Sequence, residues 1–121
     1  MSRSELGAFG EEQAATLMEK EGYQILERNF RCRFGEVDLI ARRGEILAFV
    51  EVKLRKNAAY GAAREFVTVS KQRRLRMTAS WYLSGRGWAQ MLQPRFDVVE
   101  VYAPEGVNGP VQLSYLENAF V

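Results

Sequence analysis

The fold is decided by one stretch of sequence, Gly35-Glu-Val-Asp-Leu-Ile-Ala-Arg-Arg-Gly-Glu-Ile-Leu-Ala-Phe-Val-Glu-Val-Lys-Leu-Arg55. Residues 36–42 alternate between polar and apolar side chains, which is typical of a half-buried β-strand. Residues 46–54 are rich in apolar and β-branched side chains, which is typical of a central strand. Between them, Arg43-Gly44 predicts a two-residue hairpin loop, because glycine tolerates a positive φ.

This turn also predicts the register of the hairpin. If Arg42 pairs with Glu45, then Asp38 lies opposite Phe49 and Glu36 lies opposite Glu51. Directly paired residues point to the same side of a sheet, so the polar residues of the two strands are expected on one face, with Asp38 diagonal to Glu51 at about 7 Å. The residues of this face are Glu36, Asp38, Glu51 and Lys53.

A carboxylate cluster beside apolar residues is unfavourable by itself. Two full charges about 4 Å apart repel by roughly 4 kcal/mol at an effective dielectric constant of about 20. Lys53 offsets part of this repulsion, and a divalent cation offsets more, since Mg²⁺ is typically held by one or two carboxylates, waters and phosphate oxygens. The alternative is a strand end at which Glu51 and Lys53 form a solvated ion pair.

The spacing of these residues resembles a known signature. Asp38, twelve intervening residues and then Glu51-Val-Lys53 are similar to the Asp…(Asp/Glu)-x-Lys signature of restriction-endonuclease-like, Holliday-junction-resolvase-like nucleases. More closely, the chain resembles the bacterial YraN family, which is placed in that superfamily. The segments that carry this resemblance span nearly the whole chain and are Gly10-Glu11-x-x-Ala14, Gly22-Tyr23-x-Ile25-Leu26-x-Arg28-Asn29, Gly35-Glu36-x-Asp38-Leu39-Ile40-Ala41, Phe49-Val50-Glu51-Val52-Lys53-x-Arg55, Lys71, Arg95-Phe96-Asp97-Val98-Val99 and Asn118-Ala119-Phe120.

The resemblance implies a site for Mg²⁺ or Mn²⁺. Asp38 and Glu51 would ligate the metal, with the backbone carbonyl of Val52 as a third ligand and Glu36 as a weaker candidate. Lys53 would orient the attacking water or help to deprotonate it. The metal would lower the pKa of that water and neutralise charge as it develops.

The first helix is expected to supply a further catalytic residue. Residues 5–21 are predicted to be helical, and Glu11 has Ala14, Ala15 and Met18 at i+3, i+4 and i+7, beside the buried stripe. In the related nucleases a Glu from the first helix reaches the metal site, so Glu11 would assist through a water. The alternative is an acidic residue of the first turns, favoured there by the helix dipole.

Positive charge is concentrated in the middle of the chain. Between Arg42 and Arg76 there are ten Lys or Arg residues and three Glu, a local excess of +7, whereas the rest of the chain carries −5. A basic segment beside a carboxylate cluster suits a polyanion such as DNA. The expected DNA contacts are Arg55, Lys71, Arg73 and Arg74. The alternatives are a solvated helix face for residues 73–76 and, for Lys71, a basic residue at the edge of a buried stripe.

The rest of the chain completes an α/β pattern. A second helix is predicted from Lys71 to Leu83, with Ser70 as its N-cap. Further strands are predicted over residues 23–30, 95–103 and 111–116. The inner stripe of the second helix is expected to comprise Leu75, Ala79 and Tyr82, widened by Met77 and Trp81. Residues 56–69 have no clean periodicity and predict a mobile loop beside the site, in which Tyr60 either stacks on a base or packs on the core. Asp97 is expected to have a structural role.

The predicted order α-β-β-β-α-β-β indicates one α/β domain over residues 1–121, with a mixed central sheet and flanking helices. The restriction-endonuclease-like core has the same leading order, so that fold class is the expectation.

Composition limits the chemistry. With no His and one Cys, Cys32, the chain excludes a structural zinc site, a Ser-His-Asp triad and a Cys-His pair. The lone cysteine favours a reducing cytoplasm. No apolar run is long enough to span a bilayer, and the first residues lack an apolar signal core, so no membrane association is expected.

Two functions remain open at this stage. The first is a metal-dependent endonuclease-like protein that hydrolyses phosphodiesters of DNA, including branched or structured DNA. The second is a nucleic-acid-binding or protein-interaction module that keeps the nuclease fold without turnover. Many nucleases of the superfamily dimerise, but nothing in the sequence identifies an oligomer interface.

Overall fold

Two α-helices and five β-strands are present in the part of the chain that this computed structural model describes, residues 3–56 and 67–120. In chain order they are α1 (Arg3–Lys20), β1 (Gln24–Cys32), β2 (Gly35–Arg43), β3 (Ile46–Arg55), α2 (Val69–Ser84), β4 (Gln93–Tyr102) and β5 (Gln112–Leu116). Short 3-10 helices lie at Gly87–Met91 and Gly106–Asn108. The predicted order of elements is confirmed.

The strands form one mixed sheet in the order β1-β2-β3-β4-β5. All neighbouring pairs are antiparallel except β3 and β4, which are parallel. Parallel neighbours need a crossover connection, and α2 lies within it. The predicted α/β class with a mixed central sheet is therefore confirmed.

A helix covers each face of the sheet, which explains why β3 is apolar on both sides. On one face, α2 packs on β2, β3 and β4 through Leu75, Ala79, Tyr82, Ile40, Leu47, Phe49 and Val98. On the other face, α1 packs through Ala14, Ala15, Met18, Leu39, Ala48, Val50 and Val99. Neither described helix is long and apolar enough to cross a membrane.

The predicted turn of the β2–β3 hairpin was wrong. The closing pair is Arg43 with Ile46, so the loop is Gly44-Glu45 rather than Arg43-Gly44. Gly44 has a φ of 59° and occupies the first loop position, which is where a type II′ turn takes glycine. The glycine in the sequence correctly indicated a turn, but not which of the two loop positions the glycine occupies.

This correction moves every partner along β2 and β3 by two residues. Phe49 lies opposite Ile40, not opposite Asp38. Since side chains alternate with a period of two, the shift leaves the paired residues, 39–43 and 46–50, on their predicted faces. The ladder ends at the pair of Leu39 and Val50, and beyond it Val37 packs on the same face as Ile40, so the alternation of β2 is interrupted at Asp38.

The start of α2 also differs from the prediction. The helix begins at Val69, and its N-cap is Thr68 rather than Ser70. The Thr68 hydroxyl accepts a hydrogen bond from the backbone N–H of Lys71 at 3.1 Å, as an N-cap does for the third helical residue. Ser70 lies inside the first turn instead.

The buried stripe of α2 is narrower than predicted. Leu75, Ala79 and Tyr82 are buried as expected, but Met77 and Trp81 are 41% and 47% exposed. A helix turns by about 100° per residue. Trp81 therefore points well away from the direction of Tyr82 and does not reach the sheet.

The remaining strand bounds differ slightly from those predicted. β1 continues to Cys32, past the predicted end at residue 30. The predicted mobile loop and Tyr60 fall mainly on residues 57–66, outside the described residues.

Candidate functional site

The candidate site begins where the β2–β3 ladder ends. The last ladder pair joins Leu39 to Val50. Beyond it, Oδ2 of Asp38 accepts a hydrogen bond from the backbone N–H of Val52 at 2.7 Å. The carboxylate thus accepts the hydrogen bond of a backbone N–H of β3 that would otherwise need a carbonyl of a neighbouring strand as its acceptor.

Glu51 is the buried acid of the site, with 5% of the residue exposed. Its Oε1 atom accepts a hydrogen bond from Nζ of Lys71, in the first turn of α2. Nζ of Lys53 lies 3.6 Å from the same oxygen. A buried carboxylate requires such partners, because an unpaired buried charge is costly. The crossover helix therefore brings a second ammonium group to the predicted cluster.

Asp38 is the acid whose ionisation the site opposes. Burial and the negative charge of Glu51 raise the pKa of Asp38 to about 7, from an ordinary value of 3.8. The charge of Glu11 raises this pKa further, whereas the Val52 N–H and the charge of Lys71 lower it. The carboxyl groups of Asp38 and Glu51 thus interact electrostatically. Their repulsion favours binding of either a proton or a cation.

The two lysines differ in their tendency to lose a proton. Burial and the positive charge of Lys71 lower the pKa of Lys53. Burial is the largest single influence on the pKa of Lys71 and lowers it, but the hydrogen bond to Glu51 and the negative charges of Glu51 and Asp38 together leave that pKa above its ordinary value. Lys71 therefore stays protonated, and Lys53 is the more readily deprotonated of the two.

Glu11 is held near the site by Asn29, for which the sequence predicted no role. Oε1 of Glu11 accepts a hydrogen bond from the side-chain amide of Asn29 at 2.8 Å. Asn29 lies between Arg28 and Phe30, whose partners on β2 flank Asp38. Its φ of 52° is a conformation in which Asn is enriched. The only sequence signal for this role was its place in the YraN pattern.

The donor set suits a hard cation with few protein ligands. Within the described ranges, no three Asp, Glu, Cys or His side chains are grouped to hold a metal ion. Mg²⁺ needs no such group, since it commonly binds one or two carboxylates together with waters and phosphate oxygens. The interacting carboxylates of Asp38 and Glu51 fit that requirement.

A basic cavity of about 570 Å³ adjoins the site. Lys71 and Arg74 of α2 line it together with Arg31 of β1, and Glu36 is the acidic residue of the lining. Of the predicted DNA contacts, Lys71 and Arg74 therefore share one cavity. Arg73 lies on the outer surface of the same helix.

Two of the predicted site residues form ion pairs outside the cluster of Asp38, Glu51, Lys53 and Lys71. Arg55 Nη1 donates to Oε2 of Glu100 at 2.7 Å, and its side chain is 11% exposed, so a phosphate would have to compete with Glu100. Glu36 does not lie opposite Glu51 as predicted. It is exposed and accepts a hydrogen bond at 3.0 Å from Nε of Arg31, which is its partner in the β1–β2 ladder.

Asp97 lies in a separate polar network at the β4–β5 side of the sheet. Its carboxylate accepts two hydrogen bonds from Arg95, at 2.9 and 2.8 Å. It also accepts one from the Tyr115 hydroxyl at 2.6 Å and one from the Asn118 backbone N–H at 2.9 Å. These contacts tie the last strand and the following turn to β4 and are consistent with the predicted structural role.

Comparison with known proteins identifies the family. The family model described as "Uncharacterised protein family UPF0102" matches residues 10–101. The chain belongs to UPF0102. This is the YraN family that the sequence resembles, and the matched residues include Glu11, Asp38, Glu51, Lys53 and Lys71.

UPF0102 proteins of several bacteria are similar to this chain over nearly their whole length. The chain is 44% identical over 120 residues to one from Caldicellulosiruptor saccharolyticus, an alignment that covers 99% of this chain and 100% of that protein. It is 46% identical to one from Rhodococcus jostii over 117 residues, 95% of each chain. It is 47% identical over 120 residues to one from Symbiobacterium thermophilum, an alignment that covers 99% of this chain and 98% of that protein.

Proposed function

We propose that this UPF0102 protein is a Mg²⁺- or Mn²⁺-dependent endonuclease that hydrolyses phosphodiesters of DNA. One observation carries the proposal: the interacting carboxyls of Asp38 and Glu51 converge with the ammonium groups of Lys53 and Lys71 beside a basic cavity. Two acids and two lysines in one partly buried site resemble what phosphodiester hydrolysis requires, namely a cation site, a proton acceptor and positive charge for the phosphate.

Each side chain has a role that its surroundings support. Asp38 and Glu51, with the carbonyl of Val52, would hold the cation, and Glu11 would contact it through a water. When bound, the cation would lower the pKa of a coordinated water and neutralise charge on the phosphate. Lys53, whose pKa is lowered, would accept the proton of the attacking water when its side chain is the neutral amine, and would then become an ammonium group.

The other basic residues would act on the substrate. Lys71 would stay charged, hold Glu51 in place and balance negative charge that develops on the phosphate. Arg74 would contact the backbone phosphate in the adjoining cavity. Arg55 would contribute only if a phosphate displaced Glu100.

Cleavage and metal binding test the proposal together. Branched, flapped and linear DNA are incubated with Mn²⁺ and the wild type, Asp38→Asn or Lys53→Ala. We expect nicking by the wild type and a loss of about 100-fold or more in both variants. Calorimetric titration with Mn²⁺ should give heat with the wild type and none with Asp38→Asn. Equal nicking by all three proteins would indicate a contaminant and contradict the proposal.

A DNA-binding module without turnover is the second candidate. It is favoured by the ammonium of Lys71, which occupies Oε1 of Glu51 and competes with any cation there. Such a module would bind DNA with an affinity that falls steeply with salt and does not change when Mn²⁺ is added. Salt-insensitive binding, or none, would instead favour a protein partner.

A further inference from the structure

The outer face of α2 carries a groove that the candidate site does not use. It has a volume of about 640 Å³. We call it the outer groove, and the lining residues that matter here are Phe34, Val69, Arg73, Arg76, Met77 and Trp81. Phe34 comes from the turn between β1 and β2, and the other five come from α2.

Large apolar side chains are exposed along this groove. Val69, Met77 and Trp81 are 72%, 41% and 47% exposed. Together with Arg73 they recur every four residues, which forms a stripe about 18 Å long on one helix face. The Trp81 ring meets the Phe34 ring edge to face, with centroids 6.1 Å apart. A row of exposed apolar residues on a small protein marks an interaction surface.

The charge of the groove identifies the chemistry of its occupant. Arg73 and Arg76 belong to the lining, and no Asp or Glu does among the described residues. The guanidinium of Arg33 also lies over the Phe34 ring, 5.1 Å from its centroid. Aromatic faces next to arginines form the kind of surface that binds unpaired bases and their phosphates.

The groove and the cavity beside the candidate site are both lined by residues of α2. Lys71 and Arg74 face the basic cavity on one flank of α2, and Arg73 and Trp81 face the groove on the next flank. A polyanionic strand that leaves the candidate site through the cavity would therefore meet the groove next.

We propose that the outer groove binds single-stranded DNA, with a base stacked on Trp81 and the backbone held by Arg73 and Arg76. This inference rests on the proposed function and specifies its substrate as DNA with an unpaired strand. A second copy of the chain fits less well. In a two-fold contact the groove would meet itself, which would bring Arg73 and Arg76 of both copies together without a carboxylate in the lining to offset them.

The chain offers a matched control for the test. Trp81 and Trp88 are 47% and 48% exposed, and only Trp81 is among the residues that line the groove. Binding of a labelled oligothymidylate of about 16 nucleotides is measured by fluorescence anisotropy in EDTA, so that no cleavage is required. The proteins are the wild type, Trp81→Ala, Trp81→Phe and Trp88→Ala, each checked by circular dichroism.

We expect Trp81→Ala to weaken oligothymidylate binding about tenfold, and Trp81→Phe and Trp88→Ala to change it less than about threefold. Affinity for a blunt duplex should change little in all variants, since its bases are already stacked. Equal losses in Trp81→Ala and Trp88→Ala, or no loss in either, would overturn the inference. So would a wild-type dimer that Trp81→Ala converts to a monomer in analytical ultracentrifugation.

The cleavage assay separates this inference from the proposed function. Nicking that depends on Asp38, combined with oligothymidylate binding that does not depend on Trp81, would overturn the groove assignment and keep the nuclease. Binding that depends on Trp81 in a protein that never cleaves DNA would support the groove and overturn the nuclease.

Discussion

Removing the charge of Asp38 is expected to stabilise the protein in the absence of metal. Asp38→Asn keeps an oxygen that can accept the hydrogen bond from Val52 N–H, so the local structure is retained. What disappears is a carboxylate whose folded-state pKa is about 7 rather than 3.8. A raised pKa means that the folded protein binds this proton more tightly than the unfolded chain does. Wild-type stability should therefore fall as pH rises from about 4 and level off above about 7.

The size of this effect follows from the pKa difference. A shift from 3.8 to about 7 makes the folded state lose at most about 2.6 kcal/mol of stability between about pH 5 and about pH 8. Water reaches the partly exposed carboxyl and screens part of this, so we expect about 1.5 kcal/mol. Asp38→Asn lacks this loss, and contributions from titrating groups remote from Asp38 cancel when the two proteins are compared.

Urea denaturation of both proteins at the two pH values, in EDTA, measures the difference. The stability advantage of Asp38→Asn over wild type should be larger at about pH 8 than at about pH 5 by about 1.5 kcal/mol. With Mn²⁺ at about pH 8, the wild type should gain stability and the variant should not, since only a metal bound to the folded state shifts the equilibrium. The same advantage at both pH values, or a smaller one at the higher pH, would refute the electrostatic account of the site.

Three further substitutions test the supporting structure by urea denaturation. Asp97→Asn should lower the free energy of unfolding by about 2–3 kcal/mol, because an amide nitrogen would replace an oxygen that accepts hydrogen bonds from Arg95 and Tyr115. A loss under about 0.5 kcal/mol would contradict a stabilising role for this network. Thr68→Ala should lower the free energy of unfolding by about 1 kcal/mol, and Ser70→Ala should lower it much less. A larger loss in Ser70→Ala than in Thr68→Ala would indicate that Ser70 is the N-cap. Asn29→Gly should be more stable than Asn29→Ala by about 1 kcal/mol, because both variants lose the side-chain amide but only glycine adopts the positive φ without strain. Equal stabilities of the two variants would exclude such strain.

Much of the fold could be predicted from local patterns. The apolar run of β3 indicated a central strand, and the periodicity of α1 correctly identified Ala14, Ala15 and Met18 as its buried face. The hairpin was predicted at the right place, but its register was not. A turn dipeptide indicates reversal of the chain, whereas the pairing partners depend on which loop position the glycine occupies. An error of two residues preserved the faces of the paired residues, whereas Asp38 lies beyond the ladder and contacts the backbone of Val52.

The candidate site was predicted in part for the same reason. Alternation within two adjacent strands is a local property, and it put Asp38, Glu51 and Lys53 on one face. The family resemblance added Glu11 to the predicted site, but it did not predict the hydrogen bond from Asn29 that holds Glu11. The metal, the DNA contacts and the single-domain organisation remain predictions.

The sequence by itself determined the order of elements and the family, because these depend on residue type and short spacing. Only the tertiary structure decided that Lys71 contacts Glu51, that Asp38 bonds to Val52 at the end of the ladder, and that Trp81 lies in an exposed groove. The crossover between β3 and β4 sets how α2 lies on the sheet, and that placement brings Lys71 to an acid twenty residues away. The physical reason is that local periodicity specifies which way a side chain points but not which distant group it meets.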